Sequence, residues 1–303
     1  MVANIPQFRN HRLSDPLHIQ TLEPVDLNRP LKMKQFPARI HVLLARDSPT
    51  AVVIRRGPSK VVATVHWNRN TDDFRIGQWM KGRIYERQSD LSPDGKHLIY
   101  FAVNGKWHRE VGGSWTAISR APYLKAIESY EDDCWFGGGL WMSTEKYWLN
   151  LSNKEYWLNG RGTLRQAIEV HSDDQVRRIR QFGHGCQEAV YYPRLLRDGW
   201  QLKERTRTMM GNCIDLFQKQ VAGSWNLHKF CQSGSDEHEL YNGETGVSIY
   251  KPDWEWAEVD RHRLIWASEG KLFSAILDGT GLTCETELHD FNSMQFSRIE
   301  APY

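Results

Sequence analysis

From Ala38 onward the chain is cut at short intervals. Runs rich in Val, Ile, Tyr and Trp alternate with clusters of Gly, Asp, Asn and Pro, the pattern of many short strands joined by tight turns. The first group reads Arg39 to Leu44, Ala51 to Arg55, Val61 to Val65 and Asp73 to Gly77, with turn residues at Asp47-Ser-Pro49, Gly57-Pro58 and Asn68 to Asp72. A second group follows at Arg83 to Tyr85, His97 to Phe101, Ser114 to Ile118 and Tyr123 to Ile127. Each group has the size of one four-stranded antiparallel blade. Helix signals are scarce. Thr163 to Gln181 is the best candidate, with Thr163 placed to cap Leu164 to Ile168, and it reads as a loop or short-helix insertion near 160–186.

The groups repeat. Leu91-Ser-Pro-Asp-Gly-Lys-His-Leu-Ile-Tyr-Phe-Ala102, followed by Asn104-Gly-Lys106, aligns with Glu258-Val-Asp-Arg-His-Arg-Leu-Ile-Trp-Ala267, followed by Glu269-Gly-Lys271. A weaker copy runs from Ala45 to Ile54. If Ile54, Tyr100 and Trp266 are equivalent, the separations are 46 and 166 residues, and the longer one holds roughly three steps of about 55 or four of about 41. A further unit is read from Glu188 to Lys203, as a strand over Glu188–Tyr192, an Asp198-Gly199 turn and a strand from Trp200. The expected fold is an all-β propeller of four-stranded antiparallel blades over 38–303, five blades or alternatively six. The Pro-rich segment 1–37 reads as an extended arm, and an N-terminal strand is expected to complete the last blade. Ser92-Pro-Asp-Gly-Lys96 with the strand His97 to Phe101 resembles the blade motif of TolB-like and WD-repeat-like propellers. There the Pro sets φ and the Gly takes positive φ before the second strand. The resemblance concerns scaffold, and it implies a binding platform more readily than an enzyme.

Composition narrows the function classes. No stretch approaches the ~18 apolar residues of a membrane span. Lys and Arg total 39 against 37 Asp and Glu, which leaves no overall footprint for nucleic acid. The basic residues at Arg177 to Arg180 and at Lys203, Arg205 and Arg207 are interrupted by Asp173, Asp174, Glu188 and Glu204, and they read as a solvated face. Five scattered cysteines without a CxxC pair and a polar N-terminus imply a reduced, cytoplasmic setting without structural zinc. His171, Asp173, Asp174, His184 and Cys186 are the right residue types for a metal but match no ligand spacing. No cofactor or metal is expected.

Aromatic residues make up 12% of the chain, and they concentrate in Trp135 to Trp157. Tyr147-Trp148-Leu-Asn150 is repeated as Tyr156-Trp157-Leu-Asn159, which suggests a hairpin pairing the two. Gly137-Gly-Gly139 either admits a ligand to the backbone or permits positive φ. The candidate binding residues are Trp135, Trp141, Trp148, Trp157 and Trp200. They serve either packing between blades or a protein or peptide partner, with carbohydrate as the alternative ligand. No catalytic residue stands out. A glycosidase reading would draw its two acids from Asp132, Asp133, Asp198, Asp253, Glu255 and Glu258.

Overall fold

The computed structural model describes residues 36–58, 60–107, 112–131, 136–151, 188–207, 213–232, 234–278 and 281–303. The arm as far as residue 35 and the insertion at 160–186 lie outside these residues.

Four antiparallel meanders follow one another along the chain. The first blade is β1 (Arg39–Leu44), β2 (Thr50–Arg56), β3 (Val61–Asn68) and β4 (Asp73–Lys81), and the second is β5 (Arg83–Leu91), β6 (His97–Val103), β7 (Ser114–Arg120) and β8 (Ala126–Glu131). A two-stranded sheet, β9 (Gly139–Trp141) with β10 (Tyr147–Leu149), and the helix α1 (Glu188–Arg197) come next. The third blade has five strands, β11 (Gln201–Arg207), β12 (Cys213–Ala222), β13 (Trp225–Gln232), β14 (Ser235–Asn242) and β15 (Ser248–Lys251). The fourth is β16 (Trp256–Asp260), β17 (Arg263–Ser268), β18 (Lys271–Asp278) and β19 (Gly281–Asp290).

Side-chain alternation along the strands turns these sheets into a ring. Successive residues of a strand point to opposite faces, and here each face meets a different neighbour. On β2, Ala51 and Val53 pack with Trp256, Ile265, Ala267 and Leu272 of the fourth blade, whereas Val52 and Ile54 pack with Leu98, Tyr100 and Ala117 of the second. Likewise Ile99 and Ile118 of the second blade meet Trp141, Tyr147 and Leu149, and Leu264 and Trp266 of the fourth meet the third. Burial on both faces explains why the inner strands read as unbroken apolar runs. The molecule is a β-propeller. Ile54, Tyr100 and Trp266 all lie on the second strand of their blades, so the three segments are equivalent in phase, and two blade steps, lengthened by the two-stranded sheet and the helix, separate the last two.

Three expectations are corrected. The complete blades number four rather than five or six, because the described residues between the second and third blades supply only a two-stranded sheet and a helix. Glu188–Tyr192 is not a strand but the start of α1, in which Ala189 through Leu195 are all buried; burial on every side erases the one-sided stripe that marks a helix in sequence. The Asp198-Gly199 turn is present, as its C-cap: Gly199 adopts φ +90°, its N–H donates to Leu196 O and that of Trp200 to Leu195 O, a Schellman motif. Finally, the last blade consists of four consecutive strands, none from the N-terminal side among the described residues.

The ring is latched from the other end of the chain. After β19, Phe291 packs into the core shared by the first and fourth blades, and Arg55 donates to the carbonyls of Phe291 (3.2 Å) and Met294 (3.4 Å). Phe296 lies 5.9 Å from Trp79. Gln78 donates to Ile299 O at 3.0 Å and accepts from Leu124 N at 2.7 Å. Tyr303 Oη accepts from Arg120 N and donates to Lys125 O. The tail therefore runs across the first blade onto the second.

Candidate functional site

Two cavities open on the axis, and the strands β1, β5 and β16 run between them. Val42 to Leu44, Asp90, Trp256 and Glu258 to Asp260 line one, of about 680 Å³; Arg39 to His41, Glu86, Arg87 and the preceding Trp254-Glu255 line the other, of about 560 Å³. We call them the upper and lower mouths. Their charges differ in sign. The upper mouth is lined by seven cationic side chains against five carboxylates, the lower by three arginines against six carboxylates.

The polar plug between them is built from α1 and the blades around it. Asp236 accepts from Arg87 Nη2 at 2.7 Å and from Tyr191 Oη at 2.5 Å. Burial pushes its carboxyl up, but Arg87 and Lys229 outweigh that, and it lies below the usual carboxylate range. Burial holds the Tyr191 hydroxyl well above its ordinary value, with Asp236 adding to the effect, so it stays a donor. Arg194 donates to the carbonyls of Glu86 (3.0 Å) and Ser89 and to His41 Nε2 at 3.2 Å. Burial, reinforced by Arg194, Lys229 and Arg87, drives His41 far below its normal pKa; the ring is neutral and Nε2 is the acceptor.

In the upper mouth nearly every carboxylate is occupied. Asp90 takes Arg197 Nη1 at 2.5 Å and Nη2 at 3.0 Å, and Asp198 takes the same guanidinium at 2.8 and 3.0 Å. Glu258 holds Lys219 at 2.8 Å. Asp260 holds Arg69 at 2.5 Å and Arg263 at 3.2 Å, and Arg263 continues to Asp72. In the lower mouth Glu86 pairs with Arg56 at 2.9 Å. Glu255 accepts from Ile40 N at 3.1 Å, and burial raises its carboxyl to about 7.

The tryptophans singled out in the sequence that are described lie in the core. Trp141 is fully buried beside Ile99, Ile118 and Tyr147, and its backbone N–H donates to Asp90. Trp148 packs with Leu140 and Val190. Trp200 is buried, donates Nε1–H to Glu258 at 2.8 Å and offers its ring face to Lys229 Nζ at 4.6 Å. Trp135 and Trp157 lie outside the described residues, as do Asp132, Asp133 and the His171 to Cys186 cluster. Tyr147–Leu149 pairs with Gly139–Trp141. The Gly137-Gly-Gly139 run serves that close approach: a Cβ on Gly138 would stand 1.8 Å from Gln88 O and one on Gly137 2.1 Å from Phe101. Of the acids weighed for hydrolysis, Asp198 and Glu258 stand at the upper mouth and Asp253 and Glu255 at the lower. Arg87, Tyr191, Arg194, Lys229 and Asp236 were not foreseen. Buried ionisable residues scattered over 150 positions leave no local pattern; the one available signal is charge inside apolar strands, as in Leu227-His-Lys-Phe230.

Comparison with sequence families and with curated proteins returns no match. Among solved structures, the chain is similar to the β-propeller domain of the Trilobed protease from Pyrococcus furiosus, with 13% identity, 87% of this chain and 84% of that one covered, and a TM-score of 0.36. It is also similar to the SapL1 lectin in complex with alpha methyl fucoside, at 8% identity, 83% and 82% coverage and a TM-score of 0.27. The propeller assignment rests on strand order and the alternating cores. Among the described residues no helix is long and apolar enough to cross a membrane.

Proposed function

We propose that the chain is a non-catalytic cytoplasmic interaction module that receives a protein or peptide partner at the upper mouth. The observation that carries this reading is the state of its charged groups. The cavity is of the size that takes ligands, side chains converge on it from all four blades and α1, and four of its five carboxylates are held in ion pairs. A carboxylate locked to a guanidinium or ammonium serves recognition and rigidity rather than proton transfer. The buried tryptophans support the site from behind, Trp200 through Glu258 and Lys229, and Trp141 through Asp90. The test places a photo-crosslinking side chain at Asp47 or Arg261 on the mouth, and at Ile276, exposed on β18. A discrete adduct from the mouth positions and none from Ile276 is expected; equal labelling, or none, overturns the proposal.

A second reading is favoured by Glu255. A carboxyl raised to about 7 beside Asp253 and Trp254 in the lower mouth has the property required of a glycosidase general acid. Hydrolysis of aryl glycosides that is abolished by Glu255→Gln would support it, and no hydrolysis across α- and β-linked substrates would end it.

A further inference from the structure

We propose that the floor of the upper mouth is an oxyanion site, in which Lys229 and Arg194 receive a carboxylate or phosphate group of the bound ligand. The inference rests on the recognition reading above and names the chemistry of what is recognised.

Lys229 is 1% exposed and Arg194 5% exposed, and both line the cavity. Burying a cation is expensive unless an anion offsets it, yet neither has a carboxylate within ion-pair distance among the described residues. Their hydrogen-bond partners are neutral, and the carboxylates whose fields reach them, Asp236 for Lys229 and Asp90 for Arg194, make their close ion pairs with other arginines. Lys229 Nζ reaches Tyr191 Oη and Ala257 O, each at 3.4 Å, and lies 4.6 Å above the Trp200 ring. Arg194 is spent on two backbone carbonyls and the uncharged His41 ring. The nearest acids are committed elsewhere, Asp236 to Arg87 and Tyr191, and Asp90 to Arg197. The remaining carboxylate of the lining is Asp47, out on the rim loop, where Arg46 and Arg261 also line the cavity. The excess of cations over carboxylates in the lining therefore sits at the bottom, held rigid by α1 and β13. An ammonium and a guanidinium lining one cavity, both within 6 Å of the Tyr191 ring centroid, are the group types that recognise an oxyanion. The space above them leaves room for the rest of a peptide.

The experiment uses the full chain in calorimetry and thermal melts with inorganic phosphate, triglutamate, triglutamine and sodium chloride at matched ionic strength. Phosphate or triglutamate is expected to bind and to raise the melting midpoint by a few degrees, with triglutamine and chloride inert. A response to phosphate alone identifies a free anion as the source, and a response to triglutamate identifies an acidic peptide. Lys229→Met is expected to weaken binding about tenfold or more while its own midpoint holds or rises, because a buried ammonium without a close ion-pair partner among the described residues is gone. Lys229→Arg restores binding and covers the case in which the methionine variant does not fold. Absence of any response beyond that of chloride, or unchanged affinity in Lys229→Met, overturns the proposal. The two readings separate cleanly: crosslinked partner insensitive to Lys229→Met removes the oxyanion site and keeps the platform, whereas oxyanion binding without crosslinks does the reverse.

Discussion

At the scale of single residues, the interior is unusual for how many of its charges are settled by neighbours rather than by water. The consequence is a stability profile with opposed windows. Burial takes His238 down to about 3, its Nδ1–H donating to Trp254 O at 2.9 Å, and it lowers His41 as well. Below the unfolded value of about 6.5 the unfolded chain binds the protons, so both histidines destabilise the fold progressively as pH falls from there, His238 until pH nears 3. Glu255 acts in the other direction. Its folded value of about 7 against an ordinary 4.5 means that the folded state holds the proton, so its contribution is full below 4.5 and is lost as pH rises through 7. Glu255→Gln keeps an acceptor for Ile40 N and removes the titration. It should stabilise the protein at pH 8 by about 2 kcal/mol, the shift of ~3 kcal/mol being reduced by solvent in the mouth, with no gain at pH 4. Urea midpoints at the two pH values check this; an equal effect at both would show that Glu255 is not the titrating group.

At the scale of elements, two glycines separate two kinds of constraint. Gly199 has open space, its nearest atom being Lys219 Cε at 3.8 Å, and only its φ of +90° resists substitution; Gly199→Ala should cost about 1 kcal/mol. Gly138 combines φ +78° with a carbonyl where the Cβ would go, so Gly138→Ala should cost about 3 kcal/mol or more. Denaturant titrations of both variants give the ranking, and a milder Gly138 variant would contradict the close approach of β9 to the second blade. The strands of the first two blades were readable because their turns are local chemistry: in Ser92-Pro-Asp-Gly-Lys96, Ser92 Oγ accepts from Lys96 N and His97 N, and Gly95 takes φ +74°. The helix α1 was not readable, since Val190-Tyr-Tyr192 has strand-like composition and only tertiary burial makes it helical. For the same reason the tryptophans were visible and their role was not: Trp141 and Trp200 look alike in sequence, and only the fold puts one under a sheet and the other under Lys229.

At the scale of the whole molecule, closure is the property that no single blade contains. The first and fourth blades meet through Val53 and Ile265, and the segment after Phe291 stitches the first blade to the second. Removing residues 295–303 deletes the Phe296 contact with Trp79, the acceptor for Gln78 and the three hydrogen bonds of Tyr303. A loss of about 3 kcal/mol is expected, together with faster amide exchange in β4 and β8 than in β17; a uniform change across all blades would show that the tail does not act locally. The same tail sets an order of events during synthesis. About 200 residues separate Trp79 from the segment that covers it, and at cellular elongation rates that is roughly 10 to 40 s. Through that interval the first blade is already made and lacks both its fourth-blade neighbour and its strap. A newborn chain of this design therefore has a long exposed adolescence, in which the strands of the first blade depend on whatever shelters them until the segment after Phe291 leaves the ribosome.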